Sequence, residues 1–357
     1  MSHPTSNLGF YVLGGQPESP RDLIPEVTRA EELGLGAVFI SERWNTKEAV
    51  TLSGAVGAVS SRIQIATAAT NHSTRHPLVT ASYATTMHRL TGGRFTLGIG
   101  RGVRPLFAAA GLPQVTTAQM EDFAHLMRRL FHGETVVGHD GPAGKYPALR
   151  LDSTFDENIP LGLVAFGPES LRLGGRAFDQ VVLHTFFTDD TLARCVRTVK
   201  EAAEQAGRDP DAVKVWSCFA TVGDHIPEPD RLRKTVGRLA TYLQGYGDLM
   251  VRTNAWDPGV LERFRADEIV ARFTGPPLRV IDSLDTSITD LEHIAGLLPS
   301  DWLAPAATGS PEQCAAAVRR QFDLGADGVI LHGATPDELA PILAAYRQPQ
   351  PLEGQRQ

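Results

Sequence analysis

Five short stretches of this 357-residue chain carry side chains able to do acid–base or anion-binding chemistry, and each follows a run of β-type residues. Ser41, Glu42, Arg43 and Trp44 follow AVFI, and Thr70, Asn71, His72 and His76 come after IQIATAA. Arg101 and Gly102 follow TLGIG, while His184 and His332 each close such a run. A carboxylate, a guanidinium and imidazoles in one place can move protons and bind anions. Taken singly, each histidine reads more readily as a structural or surface residue, and Glu42 with Arg43 as a solvated ion pair. Their shared position at the ends of strands is what favours a site.

A sixth stretch, AFGPES at 165–170, sets Gly167 as a helix cap and Pro168 as the first helical residue. The amides that follow then point at an anion, which makes a phosphate seat, with an ordinary helix start as the plain alternative. The GIGRG run at 98–102 resembles the start of a dinucleotide fingerprint, but that motif needs an acid ending the next strand, and Asp122 falls in a helical pattern. Its glycines are better read as letting backbone approach a flat ring. No HxH or HExxH spacing joins His72, His184 and His332, so no metal is expected.

The elements that must position these residues announce themselves by an internal repeat. Residues 19–41, SPRDLIPEVTRAEELGLGAVFIS, align without a gap on 310–332, SPEQCAAAVRRQFDLGADGVILH. Each copy opens with a capping Ser, a Pro at the first helical position and Asp22 or Gln313 where a capping box places its acceptor. An apolar stripe of helical spacing follows, then Gly34 or Gly325 as a stop, then a short run of β-type residues without polar alternation. Such a run is how a parallel strand buried on both faces reads. Strands expected at 8–13, 37–40, 63–69, 94–100, 160–165, 179–184, 213–221 and 328–331 alternate with helices, and eight such units predict a (β/α)₈ TIM barrel. The repeat further predicts that Ser41 and His332 occupy one rim.

One domain, 1–357, accommodates the whole chain, with insertions near 103–118, 133–159 and 250–306 rich in Gly, Pro and polar residues. Loops of that length cover active sites, and 228–247 is expected to form helices of its own. The net charge of −7 argues against a nucleic-acid partner, because such proteins need a basic face. No apolar run approaches the roughly 20 residues that cross a bilayer. The polar start 1–7 lacks the basic opening of a signal peptide, and Cys195, Cys218 and Cys314 form no CxxC pair, so a cytoplasmic protein with a small-molecule substrate is expected.

The segments AEELGLGAVFISER (30–43), IQIATAATNHSTRHP (63–77), LTGGRFTLGIGRG (90–102), IPLGLVAFGPESLRLGGRAFDQVVLH (159–184) and GSPEQCAAAVRRQFDLGADGVILHG (309–333) together resemble the luciferase-like monooxygenase family, in its F420 (deazaflavin)-dependent oxidoreductase branch. The resemblance covers most of 8–222 and 307–346 and leaves 223–306 outside. It implies a TIM barrel holding F420 or FMN, and commonly a homodimer. It implies further that Ser41, Glu42 and Arg43 face the ring, with Arg43 where a His often stands. Ala68, Ala69 and Thr70 match a non-prolyl cis peptide that presses a bulge against the ring. Arg101 and Gly102 match backbone contacts to the ring and ribityl chain, and Ala165, Phe166, Gly167 and Pro168 match the phosphate loop. Val103 stands where some sugar-phosphate dehydrogenases of the branch carry a Glu, so their acid–base arrangement does not transfer.

The Arg-rich, Lys-poor composition implies GC-rich coding, which together with segment 63–77 favours F420 over FMN. Arg75, Arg101 and Arg104 are expected to offset the acidic tail of F420. The reading is therefore an F420-dependent oxidoreductase that transfers a hydride between the coenzyme and a small organic substrate. In it Glu42 polarises or protonates near the ring, Arg43, Trp44 and His72 shape the substrate pocket, and His184 or His332 donates a proton. Two alternatives stand beside it: an FMN-dependent two-component monooxygenase, and a non-catalytic coenzyme-binding protein, the latter motivated by Arg43 and Val103.

Overall fold

The computed structural model describes residues 4–14, 19–43, 47–152, 154–274 and 279–348. Eight parallel strands close on themselves: β1 (Leu8–Tyr11), β2 (Ala37–Ile40), β3 (Gln64–Thr67), β4 (Phe95–Ile99), β5 (Leu161–Val164), β6 (Gln180–Val182), β7 (Lys214–Gly223) and β8 (Gly328–His332). Neighbours in sequence are neighbours in the sheet, and pairing of β8 with both β7 and β1 completes the ring. Phe10 lies opposite Val38 on one side and Leu331 on the other, and Cys218 opposite Ile330. Every one of the eight strands read from the sequence is a barrel strand.

The repeat folds as its caps dictate. Ser19 with Asp22, and Ser310 with Gln313, form capping boxes, and Gly34 and Gly325 stop their helices at φ of 68° and 99°. Strand ends 40 and 332 lie on either side of β1 on the same, C-terminal rim of the barrel, the shared rim that the repeat predicts for Ser41 and His332. Inside the barrel Ala37, Phe39, Ala66, Ala68, Val182 and Ile330 pack with Tyr11, Val164 and Trp216, which fills the axis. The larger apolar cluster lies between strands and the surrounding helices.

The three stretches outside the units have structure of their own. A short helix, Arg104–Ala109, occupies the first, and an antiparallel hairpin, Val136–Gly141 with Gly144–Leu149, the second. The third, after β7, is helical: a π-helical turn, Arg233–Gly237, leads into the long helix Arg238–Asn254, followed by Pro258–Ala266 and Ile288–Leu297. Its apolar core, including Leu239, Leu243, Phe264 and stacked Trp256 and Trp302, rests on Phe186 and Ala220 of the barrel. The chain then re-enters through a short strand, Ala307–Gly309, that pairs in parallel with the end of β7.

Candidate functional site

The mouth is built around residues 68–70. The Ala68–Ala69 peptide is cis. Two neighbours hold this turn: on the β2 side the Ala68 amide donates to the Ile40 carbonyl and the Glu42 amide to the Ala69 carbonyl, at 2.7 and 3.2 Å. On the β4 side the Thr70 amide donates to the Gly98 carbonyl at 3.0 Å and the Gly100 amide to the Thr70 carbonyl at 2.9 Å. The Thr67 hydroxyl accepts from the Gly98 amide and donates to its carbonyl. Glycine is required where this knitting brings backbones together: a Cβ on Gly98 would lie 1.8 Å from the Thr67 carbonyl oxygen, and one on Gly100 2.9 Å from the Ala69 Cβ.

Glu42 is not a free acid at the rim. Its carboxylate accepts from the Thr70 hydroxyl, from both terminal nitrogens of Arg75 at 3.1 and 3.3 Å, and from the Ala49 amide at 3.4 Å. With its side chain only 4% exposed, it is committed to Arg75 and to the bulge. Arg75, expected to face a coenzyme tail, is held by Glu42 and Glu48 instead. Arg101 likewise reaches back to the Val115 carbonyl and the Thr117 hydroxyl, tying the 103–118 insertion down, although its Nε keeps no partner among the described residues.

Gly167 caps helix Pro168–Ala177 without any side-chain cap, so the amides of its first turn remain available to a ligand. Gly102 is at φ 73° with Phe107 packed against it. Helix Arg238–Asn254 lies over the mouth like a lintel: a Cβ on Gly245 would touch Val103, and one on Gly167 would touch Leu249.

Under the lintel the rest of the rim, from the end of β6 round through β8 and β1 to β2, is aromatic and cationic. His184 stacks on Phe166 (4.5 Å, 16°) and meets Tyr242 edge-on. His332 meets Tyr11 edge-on at 5.3 Å, its Nε2 lies 3.5 Å from the Tyr242 hydroxyl, and its Nδ1 has no partner among the described residues. Burial brings the His184 pKa down to about 4. Burial, then the charges of Arg238 and Arg43, hold His332 well below the usual imidazole range. Both rings are therefore neutral at physiological pH. Arg238 pairs with Asp282 at 3.0 Å, both side chains almost fully buried, and donates to the Gly14 carbonyl. The Lys47 ammonium donates to the carbonyls of Val12 and Leu13, and burial with Arg43 nearby lowers its pKa to about 7.

Of the residues expected at the site, Arg43, His184 and His332 converge here, and Ala68, Ala69, Thr70, Ala165, Phe166, Gly167 and Pro168 line the other arc. His72 does not join them: its ring packs on Phe123 of helix Thr117–Phe131, where burial lowers its pKa to about 4, so it belongs to the helical layer. Trp44 lies outside the described residues. Missed altogether were Tyr11, Lys47, Arg238, Tyr242, Tyr246 and Asp282. The signal for three of them was present, because Arg238, Tyr242 and Tyr246 recur at four-residue spacing on one helix face. Among the described residues no group of three His, Cys, Asp or Glu side chains comes together to hold a metal, and no helix is long and apolar enough to cross a membrane.

A family model described as luciferase-like monooxygenase matches residues 4–347, which extends the likeness through 223–306, a segment the motifs had left outside. The chain is 25% identical over 307 residues to a 5,10-methylenetetrahydromethanopterin reductase of Methanolobus tindarius, spanning 84% of this chain and 86% of that relative. An F420-dependent glucose-6-phosphate dehydrogenase of Amycolatopsis mediterranei is 23% identical over 349 residues, 92% and 93% of the two chains. Among solved structures, the coenzyme F420-dependent tetrahydromethanopterin reductase of Methanopyrus kandleri superposes with a TM-score of 0.77 at 21% identity, covering 95% of this chain and 97% of that one.

Proposed function

The chain belongs to the luciferase-like monooxygenase family, and from that premise we propose that it is an F420-dependent oxidoreductase acting on a small organic substrate. The observation that carries the choice of F420 is near full-length similarity to a dehydrogenase named for that coenzyme. The mouth fits such a group on its own terms. Uncapped amides at the start of helix Pro168–Ala177 suit a phosphate, and the glycine-backed turn at 68–70 offers a flat, uncharged wall to a ring.

When bound, the deazaflavin would supply a single carbon that gives or takes a hydride. Gly167 and the Pro168 turn would hold its phosphate, with Ala165 and Phe166 beside it, and Arg101 and Gly102 would border the chain to the ring. Ala68, Ala69 and Thr70 would back the ring, with Ser41 at its edge. Glu42, fixed by Arg75, would position that turn rather than exchange protons. His332 and His184, kept neutral, are the candidate proton carriers. His332 Nε2, facing the Tyr242 hydroxyl, is the better placed to accept a proton from a substrate alcohol or return it to a carbonyl.

The partner proposed is a second copy of the chain. The adjacent outer helices Ala49–Val59 and Pro77–Leu90 carry no charged residue before His88, and expose Thr51, Ala55, Ala58, Val79, Ser82 and Thr86, a face suited to a homodimer. A monomeric mass in sedimentation equilibrium refutes that part. We place the enzyme in the cytoplasm, in keeping with three free, buried cysteines.

The main test is a fluorescence titration of the purified protein with F420 and, separately, FMN. Saturable F420 binding followed by substrate-dependent change in F420 absorbance supports the proposal. FMN binding with oxygen uptake and no response to F420 refutes it in favour of monooxygenation. F420 binding with no turnover on any alcohol, aldehyde or imine panel refutes it in favour of a carrier.

A further inference from the structure

His184, just past the end of β6, has its two ring nitrogens committed differently from those of His332. Its Nδ1 lies 3.2 Å from the Thr185 carbonyl oxygen, a group that can only accept, so Nδ1 carries a proton. Burial lowers the pKa of the ring to about 4, so it is neutral at physiological pH. A neutral imidazole holds one proton, which leaves Nε2 as a bare lone pair. That nitrogen has no partner among the described residues, and it is not sealed off as Nδ1 of His332 is.

The neighbours fix the ring and leave this one edge to a ligand. Phe166 stacks on His184 at 4.5 Å and 16°, while Tyr242 and Tyr246 stand nearly perpendicular to it at 4.5 and 5.6 Å. All four rings are partly exposed, so the cluster borders the mouth and is not part of the closed core. The Tyr242 hydroxyl lies 3.5 Å from Nε2 of His332 and does not serve His184. A hydroxyl or N–H brought to Nε2 of His184 therefore gains a hydrogen bond, whereas a carbonyl or ether oxygen in the same place sets lone pair against lone pair.

Resting on the function proposed above, we infer that His184 is a specificity-determining residue whose Nε2 accepts a hydrogen bond from the substrate, which accordingly presents a hydroxyl or N–H. The tyrosine rings on either side suit a flat, apolar body attached to that donor. The Thr185 carbonyl acts through the ring: by holding the proton on Nδ1 it keeps Nε2 an acceptor.

Phenol and anisole, alike in ring and different in one donor, test this without knowledge of the natural substrate. Each is titrated into the purified protein, with and without saturating F420, and followed in long-range proton–nitrogen NMR spectra of histidine-labelled protein. Before any probe is added, His184, assigned by its loss in His184→Phe, should show a protonated Nδ1 and an unprotonated Nε2. Phenol should then shift the Nε2 resonance and bind about fivefold more tightly than anisole, the ratio ordinary for one net hydrogen bond, and F420 should not displace it. His184→Phe, checked for native circular dichroism, keeps a ring against Phe166 and loses the preference, while His184→Gln, whose amide oxygen accepts, keeps part of it. A proton on Nε2 overturns the inference, as do equal binding of the two probes, an Nε2 resonance that phenol leaves unmoved up to its solubility limit, and a preference that survives His184→Phe. Displacement of phenol by F420 also overturns it, because the lone pair would then belong to the coenzyme's seat. Failure of F420 itself to bind, seen in the separate fluorescence titration, overturns the proposed function instead.

Discussion

Replacing Arg238 by Met should destabilise the protein by about 3–5 kcal/mol, the loss typical when one member of a buried ion pair is removed. The structure sets that magnitude. Arg238 and Asp282 are 5% and 2% exposed at their side chains and meet at 3.0 Å, so the substitution takes the guanidinium away from a carboxylate that water cannot reach. Asp282 is held on the helix by its amide, which donates to the Thr241 hydroxyl at 3.0 Å, and a Cβ on Gly237 would lie 3.3 Å from the Asp282 Cα. The hydrogen bond to the Gly14 carbonyl is lost as well, which unties the lintel from the loop after β1. Equilibrium guanidinium unfolding followed by tryptophan fluorescence measures the effect, since Trp256 and Trp302 stack in the same core. Arg238→Met combined with Asp282→Leu should recover most of the loss, because a well-packed apolar pair is often as stable as a buried ionic one. A cost below about 1 kcal/mol for the single variant, the range of exposed pairs, refutes the reasoning. So does a double variant whose loss equals the sum of the two singles.

Lys47 predicts a pH dependence. With its pKa near 7 in the folded state and at the ordinary lysine value in the unfolded chain, both forms are protonated below pH 7 and the cost of the buried charge is fully present. Above pH 7 only the unfolded chain keeps the proton, so the wild type should gain about 1.4 kcal/mol per pH unit relative to Lys47→Met until the unfolded lysine titrates. Chemical denaturation of both proteins from pH 6 to 9 checks the slope, and a pH-independent difference rejects it. Gly98→Ala should cost about 1–3 kcal/mol and weaken F420 binding in fluorescence titration, because the added Cβ meets the Thr67 carbonyl oxygen at 1.8 Å and must push the turn that backs the ring. Native stability and affinity in that variant contradict the proposed role of the turn.

The barrel was legible because its signals are local. Capping boxes at Ser19 and Ser310, stops at Gly34 and Gly325, and unbroken apolar runs each act within a few residues, and eight of them in series leave little choice of architecture. The hairpin at 136–149 was not legible. Its strands, VVGHDG and GKYPAL, are mostly solvent-facing, so they show no buried alternation, and Gly138 and Gly144 at positive φ look like loop punctuation. The sequence predicts helices at 228–247, but those from Pro258 onward hide behind Pro and Gly for a similar reason: the core they join is completed by Phe186 and Ala220, residues tens of positions away.

The site divides along the same line. Residues at strand ends could be found by reading each strand to its last position, and Arg43, His184 and His332 were. What the sequence could not convey is who engages whom. Glu42 and Arg43 are adjacent in the chain, yet one turns outward to Arg75 and the other into the mouth, because successive residues leaving a strand point to opposite faces. The charge that looks catalytic in the sequence is thereby neutralised as structure. Its neighbour comes within range of the charge of Arg238, brought in from nearly 200 residues away.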